Sequence, residues 1–206
     1  IEFVNINIKN FNIDLNALEK KLNSKNISGI IVVHLGGEVT NMEEIRSLAK
    51  KYKIWIIEDA CHAIGGKWYD SKNKLRKVGD CSFSDITTLS FHPVKHITTG
   101  EGGAILTNSR ALYERAKILR SHGMYKNKKW FKKRPWVYEM REMGYNYRIT
   151  DFQAALGVSQ LKKSNSWVKK RYGLVKYYDK KFSSINQITP QEHNFDFKNS
   201  YHLYIV

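Results

Sequence analysis

The chain has 206 residues, 42% of them hydrophobic, which is enough for one well-cored domain or for a large piece of one domain with part of another. Lysine and arginine number 35 against 19 acidic residues, a net charge of +16 that admits nucleic acid, a polyanionic small substrate, or simply the Lys and Asn habit of an AT-rich genome. No apolar run approaches the roughly 20 residues that span a bilayer, and Ile1–Val4 lack the basic and apolar regions of a signal peptide, so a cytoplasmic protein with no membrane contact is expected.

Cys61 and Cys81 have no paired spacing, so neither a disulfide framework nor a zinc site is indicated. A helix is expected from about Leu15 to Leu22. Gly29–His34 is a continuous apolar run of the kind found in buried parallel strands. Thr40 and Glu43 have capping-box spacing, and the helix they would open carries Met42, Ile45, Leu48, Ala49 and Tyr52 on one face. Ile54–Ile57 then reads as a second strand. Strand, helix, strand is a right-handed βαβ unit, which puts Asp59 at the carboxyl edge of a sheet. Ligands bind at that edge in open α/β sheets. Glu58 points to the opposite side if the strand period continues.

Residues 65–80 are polar and Lys-rich, as in an exposed excursion or hairpin. Asp85–Phe91 reads as a strand, and Gly103–Asn108 as another that is buried. Between them lies Ser90-Phe91-His92-Pro93-Val94-Lys95, followed by Thr98-Thr99-Gly100-Glu101-Gly102-Gly103. Pro93 stiffens the backbone two residues before Lys95, and the glycines after it allow positive φ and close approach to a bound group. Such a lysine is placed by its neighbours.

Asn108 or Ser109 is expected to cap a helix with Leu112, Ala116 and Leu119 inward, ended by Gly123. Residues 124–143 read as a long irregular segment. Within it, Lys126–Arg134 interleaves charge and aromatics, a pattern that suits nucleic acid, a pyrophosphate or plain solvent. Thr150 and Gln153 form a second capping box, with Phe152, Ala155, Leu156 and Leu161 as the apolar face of its helix. A long basic helix from about Trp167 to Phe182 follows, and Tyr201–Val206 alternates like a strand cut short.

The motifs Ile57-Glu58-Asp59-Ala60-Cys61-His62-Ala63, Ser90–Lys95, Gly100–Ala104 and Gly144-Tyr145-Asn146-Tyr147-Arg148-Ile149-Thr150-Asp151 resemble, in this order, the core of the DegT-type sugar-nucleotide aminotransferases. Leu119-Arg120-Ser121-His122-Gly123 and Pro135–Glu139 strengthen the likeness to members acting in pseudaminic acid biosynthesis, although Arg120 and His122 receive no role from it.

The resemblance implies the fold of the pyridoxal-phosphate transferases of fold type I: α/β, a mostly parallel sheet flanked by helices. Residues 1–160 would be the C-terminal portion of the large cofactor-binding domain and 161–206 the beginning of a small α+β domain, so the chain is expected to be a fragment. It also implies pyridoxal 5'-phosphate as cofactor. Lys95 would supply the amine that condenses with its aldehyde and later moves the substrate proton. Asp59 would hold the proton on the ring nitrogen. His62 would pack on the ring face, Ser90 would contact the phosphate, and Asn146 would reach the phosphate of a neighbouring subunit in a homodimer with a shared active site. The implied reaction moves an amino group from L-glutamate, giving 2-oxoglutarate, to the 4-keto carbon of a UDP-linked deoxy-keto-sugar on the way to pseudaminic-acid-type surface glycans. No nucleic acid partner is expected.

Two other classes compete. Glu58, Asp59, Cys61, His62, His92 and His96 are metal-ligand types, which a metal-dependent hydrolase would use. A non-catalytic relative or basic nucleic-acid binder would have no need of Lys95 or Asp59.

Overall fold

A computed structural model describes residues 1–125, 132–194 and 198–206. Helix α1 (Leu15–Ser24) begins where the Asp14 carboxylate accepts the Ala17 N–H at 2.7 Å. Strand β1 (Gly29–Val33) follows, then α2 (Met42–Tyr52) and β2 (Trp55–Asp59). A hairpin of β3 (Lys67–Tyr69) and β4 (Leu75–Lys77) precedes β5 (Ile86–Ser90) and β6 (Gly103–Leu106). Next come α3 (Arg110–Arg120), the short antiparallel pair β7 (Met124–Tyr125) and β8 (Glu139–Met140), α4 (Asp151–Leu161) and α5 (Ser164–Phe182).

The main sheet has the order β1-β2-β5-β6. β1, β2 and β5 are parallel, and β6 runs antiparallel to β5. Its two faces differ sharply. One face packs Ile30, Val32 and Ile56 against Leu18 and Leu22 of α1 and Met42, Ile45 and Ala49 of α2, with Trp68 from the hairpin closing the cluster. Each fully buried aliphatic side chain there contributes about 1.5–3 kcal/mol. The other face carries Ile31, Trp55 and Ile105, which are 61%, 46% and 58% exposed. β6 is therefore half-open here and not the buried strand that its apolar run suggests.

Three local expectations change. Asn41, not Thr40, caps α2: its side chain accepts the Glu44 N–H, while the buried Thr40 hydroxyl donates to the Val33 carbonyl. Two adjacent polar residues offered caps one step apart, and the β1 carbonyl claimed Thr40. The capping box of α4 is present at Thr150 and Gln153, but its apolar face is not the packed one. Phe152 is 90% exposed, and the side turned inward carries Gln153, Ala154, Gly157 and Gln160. Gln160 Oε1 accepts the Thr98 N–H at 3.1 Å and Gln153 Nε2 donates to the Glu101 carbonyl at 3.1 Å, so polar contacts to the loop after β5 decide the helix's orientation. Finally, residues 201–206 form no strand. With Ser200 they lie as an irregular segment whose backbone joins Gly36 and Gly37 through Leu203 N–H (3.1 Å) and Ser200 N–H (3.0 Å). The cap of α3 is Ser109, whose side chain accepts the Leu112 N–H.

Candidate active site

The site is built by strand register. Asp59 is the last residue of β2 and pairs with Thr88 of β5, and Ser90 lies two residues further along the same face of β5. Since side chains alternate with period two, Asp59, Thr88 and Ser90 share the open face of the sheet at its carboxyl edge. Glu58 and its partner Thr87 share the buried face. The alternation expected from the sequence holds to the final residue of the strand.

Lys95 comes from the loop that leaves β5. That loop folds back on Phe91: its N–H donates to the Gly102 carbonyl at 2.9 Å, and its carbonyl accepts both the Thr99 N–H and the Thr98 hydroxyl at 3.0 Å. A turn closed by the Lys95 N–H on the His92 carbonyl at 3.0 Å sits inside it. Lys95 is half-buried. Its charge acts on Cys61 and His62, and so does that of Asp59, so the structure brings the predicted amine and carboxylate to bear on the same pair of residues.

Partial burial and these charges shift both residues. Burial lowers the His62 pKa, Lys95 lowers it further, and Asp59 opposes both. Its imidazole is thereby kept neutral, and Nδ1 is buried with no hydrogen-bond partner among the described residues. Burial and the neighbouring Asp59 push the Cys61 thiol up to about 11. Cys61 is thus a thiol at neutral pH.

Glu58 is 3% exposed and fully engaged. Oε1 lies 2.9 Å from His34 Nε2, and Oε2 accepts the hydroxyls of Ser84 and Thr87, each at 2.9 Å. Burial pushes its carboxyl up, but the His34 contact and the two hydroxyls outweigh this and hold it below the usual carboxylate value. Glu58 and Asp59 face opposite sides of the sheet and cannot share an ion, and exposed His92 lies 3.8 Å from Glu101. Among the described residues no group of three or more His, Cys, Asp and Glu side chains is arranged to hold a metal. The ligand types of the hydrolase reading therefore do not converge. Of the basic segment 126–134, residues 126–131 lie outside the described residues.

Asn146 is exposed, on a strip zipped to the end of α3. Tyr145 N–H donates to Leu119 (2.7 Å), His122 N–H to Tyr145 (2.8 Å) and Tyr147 N–H to Arg120 (3.0 Å). This gives residues 119–123 a backbone role that their side chains did not suggest: they anchor the strip that carries Asn146.

An amine, a carboxylate on the same sheet edge, a hydroxyl on the same face and a neutral, partly orphaned imidazole fit a pyridine-aldehyde cofactor. An open cavity of about 360 Å³ lined by Gly79, Cys81, Ile105, Leu106, Thr107 and Asn108 lies at the other end of β5 and offers no amine.

Residues 2–206 match the DegT/DnrJ/EryC1/StrS aminotransferase family. The chain belongs to that family. It is 43% identical over 208 residues to a UDP-4-amino-4,6-dideoxy-N-acetyl-beta-L-altrosamine transaminase of Campylobacter jejuni subsp. jejuni, a match covering 100% of this chain and 52% of that protein. A transaminase of the same name from Helicobacter pylori is 37% identical over 195 residues, covering 95% of this chain and 48% of the relative. Among solved structures, Helicobacter pylori PseC, described as an aminotransferase involved in the biosynthesis of pseudoaminic acid, superposes with a TM-score of 0.84 at 36% identity, covering 98% of this chain and 51% of the other. The chain thus spans about half the length of the curated relatives it matches, and the α/β fold expected from the sequence is that of the aminotransferase family.

One part of the site was not legible beforehand. Residues 198–206 return to its floor, where the Ser200 hydroxyl donates to the His62 carbonyl at 2.8 Å and the His202 ring lies 4.6 Å from the His62 ring. Nothing in the alternation of Tyr201–Val206 signals this.

Proposed function

We propose that the intact polypeptide carrying this chain is a pyridoxal-phosphate-dependent aminotransferase. It transfers the amino group of L-glutamate to the 4-keto carbon of a UDP-linked deoxy-keto-sugar, forming a UDP-4-amino-4,6-dideoxy sugar of the kind in its relatives' names. The observation that carries the proposal is that strand register sets Asp59 and Ser90 on one face at the carboxyl edge of the sheet, where the loop leaving β5 carries Lys95. When bound, pyridoxal phosphate supplies an aldehyde and an electron-withdrawing ring that take an amino group from one substrate and pass it to the next.

The residues of the chain divide the rest of the work. Lys95 would hold the cofactor through its amine and would be the group that moves a proton at the substrate carbon. Asp59 would hold the ring nitrogen and favour its protonated form. His62 would pack against the ring, and Ser90 would help to hold the phosphate. In a homodimer, Asn146 reaches the phosphate held by the other subunit, which makes the assembled pair the active form. In this reading residues 1–160 belong to the cofactor-binding domain and 161–206 open the smaller one, and the enzyme works in the cytoplasm on precursors of surface glycans.

The test uses the intact polypeptide incubated with pyridoxal phosphate, reduced with borohydride and digested for peptide mapping. A yellow protein labelled at Lys95 is expected. Label on another lysine would overturn the assignment, and turnover of a different keto-sugar would retain amino transfer while changing the substrate.

A further inference from the structure

We propose that His202 is a positioning residue for the cofactor site: its ring packs on that of His62 and, with Ser200, fixes both the plane and the backbone of the histidine on which Asp59 and Lys95 act. The inference rests on the assignment of His62 to the cofactor ring.

Three imidazoles form a row under the site. The His62 and His202 ring centroids are 4.6 Å apart, and those of His202 and His96 are 5.1 Å apart. The row is tied down from both ends. The Ser200 hydroxyl donates to the His62 carbonyl, and the Ser200 carbonyl accepts from His96 Nε2 at 2.8 Å, which puts the proton of neutral His96 on Nε2. Arg171 Nη1 of α5 donates to the carbonyls of Tyr201 (3.3 Å) and His202 (2.9 Å), while Gly36 and Gly37 accept the N–H groups of Leu203 and Ser200. His202 can move only if α5 and the loop after β1 move with it.

Burial also disfavours charge on all three rings. Burial depresses the His202 pKa to about 3, with His96, His62, Lys95 and Arg171 adding repulsion. A neutral His62 matters chemically. A protonated one would compete with the cofactor's ring nitrogen for the Asp59 carboxylate, whereas a neutral ring held flat leaves that carboxylate available. The His202 ring lies against His62, their centroids 4.6 Å apart, so removing it opens that side of the imidazole to water.

The experiment uses the intact polypeptide with His202→Ala and His202→Phe. Two quantities are measured: the His62 titration by histidine-labelled NMR in cofactor-free protein, and pyridoxal phosphate affinity by absorbance. His202→Ala should raise the His62 midpoint toward 6.5 and weaken cofactor binding about tenfold, the scale of one lost ring contact. His202→Phe, which keeps a flat ring, should restore the affinity. A folded Ala variant with both quantities unchanged overturns the proposal, and so does a Phe variant as impaired as Ala. Should His202→Ala fail to fold, Ser200→Ala removes only the hydroxyl on the His62 carbonyl; it should weaken binding in the same direction, and an unchanged affinity overturns the proposal. If wild type fails to bind the cofactor at Lys95, the proposed function fails, and the titration alone then decides whether His202 positions His62.

Discussion

Acid should unfold the protein through its buried histidines before its carboxylates matter. His96 is 4% exposed. Burial pushes its pKa from 6.5 to about 4, opposed by the Ser200 hydrogen bond and reinforced by Arg171, His62 and Lys95. The folded pKa lies below the unfolded one, so the unfolded chain takes up the proton first. The stability contribution is complete above pH 6.5 and is lost as pH falls from there toward 4. At about pH 4.5, two pH units below the unfolded value, the loss from His96 alone comes to about 2–3 kcal/mol. Glu58 acts in a separate window: its folded pKa is held below 4.5, so its contribution is lost only at more acid pH. His96→Gln removes the titration while keeping a donor for the Ser200 carbonyl. Urea unfolding of the intact polypeptide at about pH 7.5 and 4.5 should show wild type losing about 2–3 kcal/mol more than the variant across that interval. His202 is present in both proteins, and since His96 helps to depress its pKa, the variant also relieves part of the His202 loss, a change in the same direction. Equal losses in the two proteins would refute the reasoning.

Glu58→Ala leaves His34, Ser84 and Thr87 buried around a missing acceptor and should cost about 3–5 kcal/mol in denaturant unfolding, with a loss under 1 kcal/mol contradicting the network. Asp59→Ala should keep stability within about 0.5 kcal/mol of wild type, as for a residue outside the core, but abolish cofactor-dependent transamination. Near-normal turnover there would mean that the ring nitrogen has another partner. Gly37 has φ +93°, and a Cβ on it would lie 2.8 Å from both the His62 carbonyl oxygen and the His202 nitrogen, so Gly37→Ala should lower stability by about 2 kcal/mol or more. An unchanged melting temperature would show that the segment 198–206 can move aside freely.

What could be read beforehand follows from the range of the interactions involved. The placement of Asp59 and Glu58 on opposite faces needs only the two-residue period of a strand, and the βα pattern around them needs only local periodicity. Lys95 stood out because Pro93 and the glycines after it restrict the same loop that the structure folds onto Phe91. Signals fail where a distant partner decides. The inward face of α4 is set by Thr98 and Glu101 bonding to its glutamines, and by Gly157 meeting Thr99, against the pull of its own apolar residues. Ser200 meets His62 across 138 positions of sequence, and the hydropathy of residues 201–206 is equally compatible with a strand. The cap of α2 failed for a third reason, since Thr40 and Asn41 are both good caps and only the β1 carbonyl told them apart.

The neighbours Glu58 and Asp59 show how one strand places one acid in the core and the next on the open face. Glu58 has each of its oxygens engaged on the buried face, where a carboxylate is tolerated only when fully partnered. Asp59, half-buried on the open face, accepts the Cys61 backbone N–H at Oδ1 (3.1 Å), which orients the carboxylate and leaves acceptor capacity for a ligand. The two positions cannot be exchanged, because a one-residue slip of β2 would bury the acid proposed to meet the cofactor and expose the one that bonds His34, Ser84 and Thr87. Loss of stability at residue 58 and loss of chemistry at residue 59 should therefore separate cleanly. A variant at residue 59 that unfolded the protein, or one at residue 58 that only changed turnover, would mean that the register places the two acids differently.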